Sequence, residues 1–152
     1  MLKIVGGEWY IMVKSGFSSI DKSTQKTKEW LHDVQNELGW EDENEVYIAF
    51  KAVIQTLRDR LPVDEAIELG DELPMVMKGI YYDGYTPRRK PEKIKNQTQF
   101  FEKVQEKSPR RPIKTEEATK CVFSTLQKKL SGGGEITKVK NNLPKDLQEL
   151  LD

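Results

Sequence analysis

The chain has 152 residues, 36% of them hydrophobic and 33% charged, which suits one ordinary domain or two small halves that share a core. Its 25 basic and 25 acidic residues cancel, so overall charge does not direct the chain to nucleic acid or to a membrane. A single cysteine, Cys121, excludes an intrachain disulfide and is typical of a reducing compartment, so we expect a cytoplasmic protein.

Residues 1–16 differ from the rest of the chain and are assigned to an N-terminal extension. The extension is apolar at residues 9–13 but is broken by two glycines and a glutamate at residues 6–8. It is too short and too interrupted for a membrane span, and it has no small-residue cleavage site of the secretory kind. We expect either an accessory strand or a leader that precedes a natural start at Met12.

The first predicted helix covers residues 21–38, where apolar side chains recur every three or four positions. Gly39 is well placed to end this helix, because glycine readily adopts the left-handed conformation found at many helix ends. The face expected to be buried contains Thr27, Trp30, Leu31, Val34 and Leu38.

The second predicted helix covers residues 42–60, and acidic residues crowd its start, where the helix dipole favours negative charge. Pro62 is expected to end it. Two short helices follow, one over residues 64–72 and one from Pro74 to Ile80, with Pro74 at the first helical position. The buried face of the second helix is expected to contain Val46, Ala49, Phe50, Val53, Leu57 and Leu61.

The same order of apolar side chains returns 69 or 70 residues later. This recurrence predicts an all-α fold of two tandem repeats, each a bundle of about four helices, because a repeated apolar stripe implies a repeated helical unit. Each unit alone is small, so the two are expected to share a core. The matched pairs are Trp30–Phe100, Leu31–Phe101, Val34–Val104, Ala49–Ala118, Val53–Val122, Leu57–Leu126, Leu61–Leu130, Leu73–Leu143, Pro74–Pro144, Met77–Leu147 and Ile80–Leu150.

The repeats are predicted to span residues 17–82 and 98–152, with a linker over residues 83–97. Gly84 and two prolines prevent a continuous helix in this linker. The three tyrosines at residues 81–85 are too apolar for a free linker. We therefore expect the segment to pack across the seam between the repeats.

Charge is distributed unevenly along the chain. Residues 1–82 hold nine basic and 15 acidic residues, whereas residues 83–152 hold 16 basic and 10 acidic residues. Such asymmetry can bring the halves of one molecule together, stack molecules head to tail, or present a basic face to an anion. Solvated surfaces that merely differ in charge are an equal alternative.

Four short motifs carry a resemblance to a known family. They are STQKTKEWL at residues 23–31, LRDRLP at residues 57–62, ELP at residues 72–74 and KGIYY at residues 78–82. Together they make residues 17–151 resemble the bacterial domain of unknown function 2267 family. The resemblance implies a duplicated helical domain with no established activity and no accepted catalytic residues.

Three features that could carry chemistry are given structural interpretations. Glu29 and His32 have the Glu-x-x-His spacing of ferritin-like carboxylate sites, but His32 lies nearly opposite the predicted buried face and is the one histidine. Cys121 has no histidine nearby in sequence and is expected to behave as a small hydrophobe. The glycines at residues 132–134 lack the Lys-Ser/Thr of a phosphate loop. We therefore predict no catalytic residue, no metal ligand and no cofactor.

Two groups of residues are candidates for binding. Arg58 and Arg60 precede a helix end, where cations complement the dipole, and this structural role is favoured over anion recognition. Tyrosines beside cations could stack bases and hold phosphates, although Glu92 interrupts the basic run and a solvated linker is favoured. The candidate interaction or anion-binding residues are Arg58, Arg60, Tyr81, Tyr82, Tyr85, Arg88, Arg89 and Lys90.

The favoured hypothesis is a non-enzymatic protein-interaction module whose partner is another protein or a second copy of the chain. The alternative is binding of nucleic acid or another anion through basic clusters at residues 88–95 and 110–114. Nucleic acid is the less favoured partner because the pI of 6.6 is low for a dedicated binder, and no membrane partner is expected. A third hypothesis is an enzyme with a carboxylate or tyrosine site between the repeats.

Overall fold

The structure is a computed structural model that describes residues 2–5, 8–11 and 17–152. Two short antiparallel strands, β1 (Leu2–Val5) and β2 (Glu8–Ile11), pair so that Leu2 lies opposite Ile11 and Val5 lies opposite Glu8. The strands lie within residues 1–16, which were predicted to form an N-terminal extension, whereas the alternative start at Met12 lies outside the described residues.

From residue 17 onward the regular structure is helical, which confirms the predicted all-α class for this part of the chain. The helices follow one another with short connections, except for the segment of residues 83–96 between the fourth and the fifth. They are α1 (Ser18–Leu38), α2 (Glu43–Arg60), α3 (Val63–Asp71), α4 (Met75–Tyr82), α5 (Gln97–Glu106), α6 (Thr115–Lys129), α7 (Glu135–Asn141) and α8 (Lys145–Gln148), with a final 3-10 turn at Glu149–Leu151.

The ends of α1 and α2 show why these helices stop and start where they do. Gly39 has a φ of 72°, and its amide donates to the Gln35 carbonyl at 2.8 Å, so the prediction of a glycine stop is confirmed. Asp42 precedes α2, and its carboxylate accepts hydrogen bonds from the amides of Asn44 and Glu45. An aspartate at this position satisfies amides that have no partner within the helix.

The prediction that Pro74 occupies the first position of α4 is wrong by one residue. Its φ of −54° suits a helix, but its ψ of 148° is extended, so α4 begins at Met75. The Pro74 carbonyl accepts the amide of Lys78 at 2.8 Å, which is the first hydrogen bond of the helix. Pro62 stands in the same position before α3, after α2 has ended at Arg60.

Helix α2 lies at the centre of the molecule and packs against α1, α4, α5 and α6. Every side chain from residue 52 to residue 59 is buried, which is expected of a helix covered on all sides. One hydrophobic cluster includes side chains from α1 through the final 3-10 turn. Within it, the rings of Phe100 and Phe123 meet edge to face with centroids 5.6 Å apart.

Glycine at residue 70 is required by the packing of α3 against α4. A Cβ atom on Gly70 would lie 2.2 Å from the hydroxyl oxygen of Tyr82. The same hydroxyl donates a hydrogen bond to the carbonyl of Ile67 at 3.2 Å. The absence of a side chain on Gly70 therefore lets the Tyr82 ring approach α3 closely.

Within residues 17–152, four ion pairs connect the part of the chain before residue 83 with the part after residue 97. In each of them the acid comes from the first part and the base from the second, so some of the charge asymmetry is used within one molecule. The three exposed pairs contribute little individually, whereas Asp59 in the fourth pair is buried. The pairs are Asp33–Lys129 (2.7 Å), Asp42–Arg111 (3.3 Å), Asp59–Lys107 (2.8 Å) and Glu68–Lys138 (3.8 Å).

None of the helices described between residues 17 and 152 combines the length and the apolar composition that crossing a membrane requires.

Candidate functional site

Arg58 is a buried arginine near the end of α2, with only 3% of its surface exposed. Its Nη1 donates to the carbonyls of Tyr81 and Asp83, at 2.7 and 3.0 Å, and its Nε donates to Asp59 at 2.9 Å. These carbonyls lie at the end of α4, where the helix dipole favours a positive charge. The arginine therefore completes the end of α4 rather than the end of its own helix.

Asp59 links this arginine to the second part of the chain. One carboxylate oxygen accepts from Arg58, and the other accepts from Lys107 Nζ at 2.8 Å. The carbonyl of Asp59 also accepts the amide of Glu92 at 2.8 Å. Because Arg58 and Asp59 are both almost fully buried, each charge depends on the other for its stabilisation.

The connecting segment of residues 83–96 is held to α2 at several points along its length. Besides the bonds to Asp83 and Glu92, Arg60 Nε donates to the carbonyl of Ile94 at 2.8 Å. Burial lowers the pKa of Arg60. The Ile94 side chain is itself buried in the hydrophobic cluster. The segment therefore has a fixed course although it contains no helix or strand.

The three tyrosines pack around α4 and the buried arginine. The Tyr81 hydroxyl donates to the carbonyl of Ala66 at 2.7 Å, and burial raises the pKa of this phenol. The Tyr82 ring lies between those of Tyr81 and Tyr85, with centroids 4.9 and 6.3 Å away. Arg58 lies over the Tyr85 ring, 5.0 Å from its centroid. One face of Tyr85 is thus already covered by a cation from the protein.

The fixed segment carries basic side chains that surround an open cleft, here called the basic cleft, with a volume of about 740 Å³. Lys90 and Lys103 each pair with a carboxylate, Glu92 at 3.5 Å and Glu106 at 3.3 Å. Across the described ranges, no ion pair involves Arg88, Arg89 or Lys93. The cleft is lined by Arg88, Arg89, Lys90, Pro91, Glu92, Lys93 and Lys103.

The second basic cluster, at residues 110–114, lies against carboxylates. Arg111 pairs with Asp42 at 3.3 Å. Lys114 lines a separate shallow cleft together with Glu116 and Glu117. This cluster therefore lines a different surface from the basic cleft and has negative charge beside it.

His32 and Cys121 lie where the sequence analysis expected them. His32 is exposed at the mouth of a small cleft between α1 and α2, and Cys121 is buried. Burial and the neighbouring Glu37 carboxylate raise the pKa of the Cys121 thiol to about 12, so the thiol is protonated at neutral pH.

Another cleft lies between α1 and α6, and the Asp33 carboxylate that lines it forms an ion pair with Lys129.

The sequence analysis did not include Lys103 of α5, which lies beside the basic cleft, or Lys107, which directly follows α5 and pairs with Asp59. They are four residues apart and so lie on one side of the helix. That spacing was readable in the sequence, but the approach of this side to residues 59 and 88–93 is a tertiary contact that no local pattern indicates.

These features define a class: a small helical domain in which a buried arginine–aspartate pair fixes a basic connecting segment. Residues 27–150 match the model of the family described as uncharacterized conserved protein (DUF2267), and the chain belongs to this family. The resemblance inferred from the sequence motifs is therefore confirmed. None of the curated proteins matches the chain. The family description assigns no activity, so function has to be argued from the site.

Proposed function

We propose that the chain is a non-enzymatic protein-interaction module that binds an acidic surface of a partner protein through the basic cleft. The observation that carries the proposal is the combination of three exposed cations, Arg88, Arg89 and Lys93, with a backbone that hydrogen bonds hold to α2. Four other cations in the second part of the chain form ion pairs with carboxylates of the first part, whereas these three are exposed to solvent. The four paired cations are Lys107, Arg111, Lys129 and Lys138.

A fixed course of the segment favours binding because less conformational entropy is lost when a partner docks. Hydrogen bonds hold the backbone on both sides of the basic residues. Before them, Arg58 donates to two carbonyls at the end of α4. After them, the Glu92 amide donates to the Asp59 carbonyl and Arg60 donates to the Ile94 carbonyl. Grouped charges of one sign also accelerate encounter with an oppositely charged surface. The cleft would thus attract an acidic partner electrostatically and present its cations on a backbone that is already ordered.

The repeat architecture belongs to the same proposal. We infer two tandem repeats at residues 17–82 and 98–152, a linker at residues 83–97 and an N-terminal extension at residues 1–16. The order of long and short helices in α1–α4 is similar to that in α5–α8. Matched apolar pairs such as Leu57 and Leu126 are both buried, which supports the inference. The buried free thiol is compatible with the cytoplasmic location that we predict.

A protein partner is favoured over nucleic acid by the surroundings of the aromatic side chains. Stacking of bases needs exposed aromatic faces, and here Tyr81 is buried while Arg58 covers one face of Tyr85. The cations at residues 110–114 have carboxylates beside them, so they do not extend the basic cleft into a continuous track for phosphates.

Affinity capture with the tagged chain tests this function. The triple variant Arg88→Ala, Arg89→Ala, Lys93→Ala is expected to retain about tenfold less partner protein than the wild type, because it removes the unpaired cations. The matched control is Arg110→Ala, Lys114→Ala, Lys145→Ala, which removes the same charge from other exposed positions. Retention should fall with added salt in the wild type.

The readout is quantitative mass spectrometry of nuclease-treated eluates from native lysate. Equal recovery of the same proteins by the wild type and by the Arg88/Arg89/Lys93 variant would exclude the basic cleft as the interface. Recovery that disappears on nuclease treatment would assign the cleft to nucleic acid instead.

A further inference from the structure

Three carboxylates meet where α3 packs against α7, away from the basic cleft. Glu65 and Glu68 are on α3, and Glu135 is the first residue of α7. One oxygen from each carboxylate lies within 4.8 Å of the other two. Glu65 and Glu135 are only 8% and 7% exposed, whereas Glu68 is at the surface. The cluster therefore opens to solvent on one side and is closed on the other.

The two buried carboxylates have oxygens without hydrogen-bond partners. Across residues 17–152, no donor reaches Oε1 of Glu65 or Oε1 of Glu135. An unpartnered buried carboxylate oxygen is costly, and a native structure normally satisfies it with a donor, a water or an ion. Lys138 is the nearby cation, but its Nζ lies 3.8 Å from Glu68 and pairs with that exposed carboxylate. A positively charged ligand at this cluster would satisfy the two unpartnered oxygens.

The electrostatics of the cluster agree with this geometry. Burial, a side-chain hydrogen bond with Glu135 and the charge of that neighbouring carboxylate raise the pKa of Glu65 to about 7. Two neighbouring buried negative charges repel each other, and a cation placed between them would replace that repulsion with attraction.

We propose that Glu65, Glu68 and Glu135 bind one divalent cation that prefers oxygen ligands, with Ca²⁺ as the best match. The donor set holds only carboxylate oxygens, which suits hard cations rather than zinc or copper. Ca²⁺ accepts several carboxylate oxygens in a flexible geometry, whereas Mg²⁺ demands an octahedral geometry and usually keeps several of its waters. The three carboxylates each offer an oxygen within 4.8 Å of the others, so one cation can reach all three without movement of α3 or α7.

The sequence analysis predicted no metal ligand, although the spacing of two glutamates in the sequence could have indicated this site. Glu65 and Glu135 are separated by 70 residues, the same offset that relates the apolar faces. Because only apolar positions were matched, the acidic pair was overlooked. The bound cation would join α3 to α7 and so connect the two parts of the chain in addition to the Glu68–Lys138 pair.

Thermal unfolding of the full chain tests the site. At mildly alkaline pH, millimolar CaCl₂ added after treatment with a chelator is expected to raise the Tm of the wild type by about 5 °C, because the ion binds only the folded form. MgCl₂ should raise it less. The variants Glu65→Gln and Glu135→Gln should lose the Ca²⁺-dependent rise, and they should still fold because they remove a repulsion. Glu106→Gln, at an exposed position of α5, is the control that should keep the full rise.

Isothermal titration of the wild type with CaCl₂ should give a stoichiometry of one, and none in Glu135→Gln. An unchanged Tm together with no heat of binding for Ca²⁺, Mg²⁺ or Mn²⁺ would overturn the proposal and assign the pair a shared proton. A rise that persists in both glutamine variants would place any bound ion elsewhere.

Discussion

Replacing Asp59 with alanine is expected to lower the free energy of unfolding by about 3–5 kcal/mol, because it leaves the buried guanidinium of Arg58 without its counterion. The carboxylate accepts from Arg58 at 2.8 Å and from Lys107 at 2.8 Å, and it is itself almost fully buried. The Arg58 bonds to the carbonyls of Tyr81 and Asp83 remain in this variant, but they do not neutralise the charge. Urea unfolding followed by circular dichroism measures the loss.

Two companion variants make the result specific. Asp59→Asn keeps the size and one acceptor, so it should cost less than alanine. Lys120→Ala breaks the exposed pair with Glu116, where both side chains are more than half exposed, and should change stability by about 0–1 kcal/mol. A loss below about 1 kcal/mol for Asp59→Ala would show that the buried pair does not stabilise the fold.

Leu57→Ala and Leu126→Ala are each expected to cost about 2–5 kcal/mol, since both remove buried atoms and leave a cavity. Leu57 on α2 is 0% exposed and Leu126 on α6 is 1% exposed, and both belong to the same hydrophobic cluster. Similar losses at the two positions are expected because their surroundings are equally closed. The measurement is the same urea titration, with the slope checked to show that unfolding stays two-state.

The control for these two substitutions is Ile67→Ala on α3, where the side chain is 45% exposed. Less apolar surface is lost there, so the cost should be well below that of the leucines. If Leu57→Ala or Leu126→Ala proved as mild as the control, the assignment of that helix face to the core would be wrong.

Helix positions were predictable because burial alone sets the spacing of apolar residues. Trp30 and Val34 mark the buried face of α1, and both are buried in the structure, whereas His32 on the other side is exposed. Gly39 was readable as a stop because its conformation depends on local backbone sterics. The boundary at Pro74 was misjudged by one residue, since φ is fixed by proline but ψ is set by the turn that precedes the helix.

The partners of the charged side chains were not predictable. Arg58 was expected to serve the end of its own helix, yet its donors reach carbonyls 23 and 25 residues away. Asp59 and Lys107 are 48 residues apart. Such contacts depend on how α4, α5 and the connecting segment pack around α2. That packing cannot be predicted from the residues that are adjacent in sequence.

The basic cleft was predictable in part: its charges could be recognised in the sequence, but the contacts that position them could not. Arg88, Arg89 and Lys90 were recognised in the sequence as a basic run beside tyrosines. The sequence analysis expected this segment to pack across a seam, but the hydrogen bonds that hold it, from Glu92 to Asp59 and from Arg60 to Ile94, were not predictable. The sequence therefore indicates which charges are present, and the fold determines that they are held in place.

The most direct test of the proposed function is the fluorescence anisotropy of a labelled acidic peptide titrated with the purified chain at low salt. The account predicts saturable binding that weakens with added salt and falls by about tenfold in the Arg88→Ala, Arg89→Ala variant, equivalent to about 1.4 kcal/mol. Arg110→Ala, Lys114→Ala should bind like the wild type. Binding of equal strength by all three proteins, or tighter binding of a single-stranded oligonucleotide of the same charge, would contradict it.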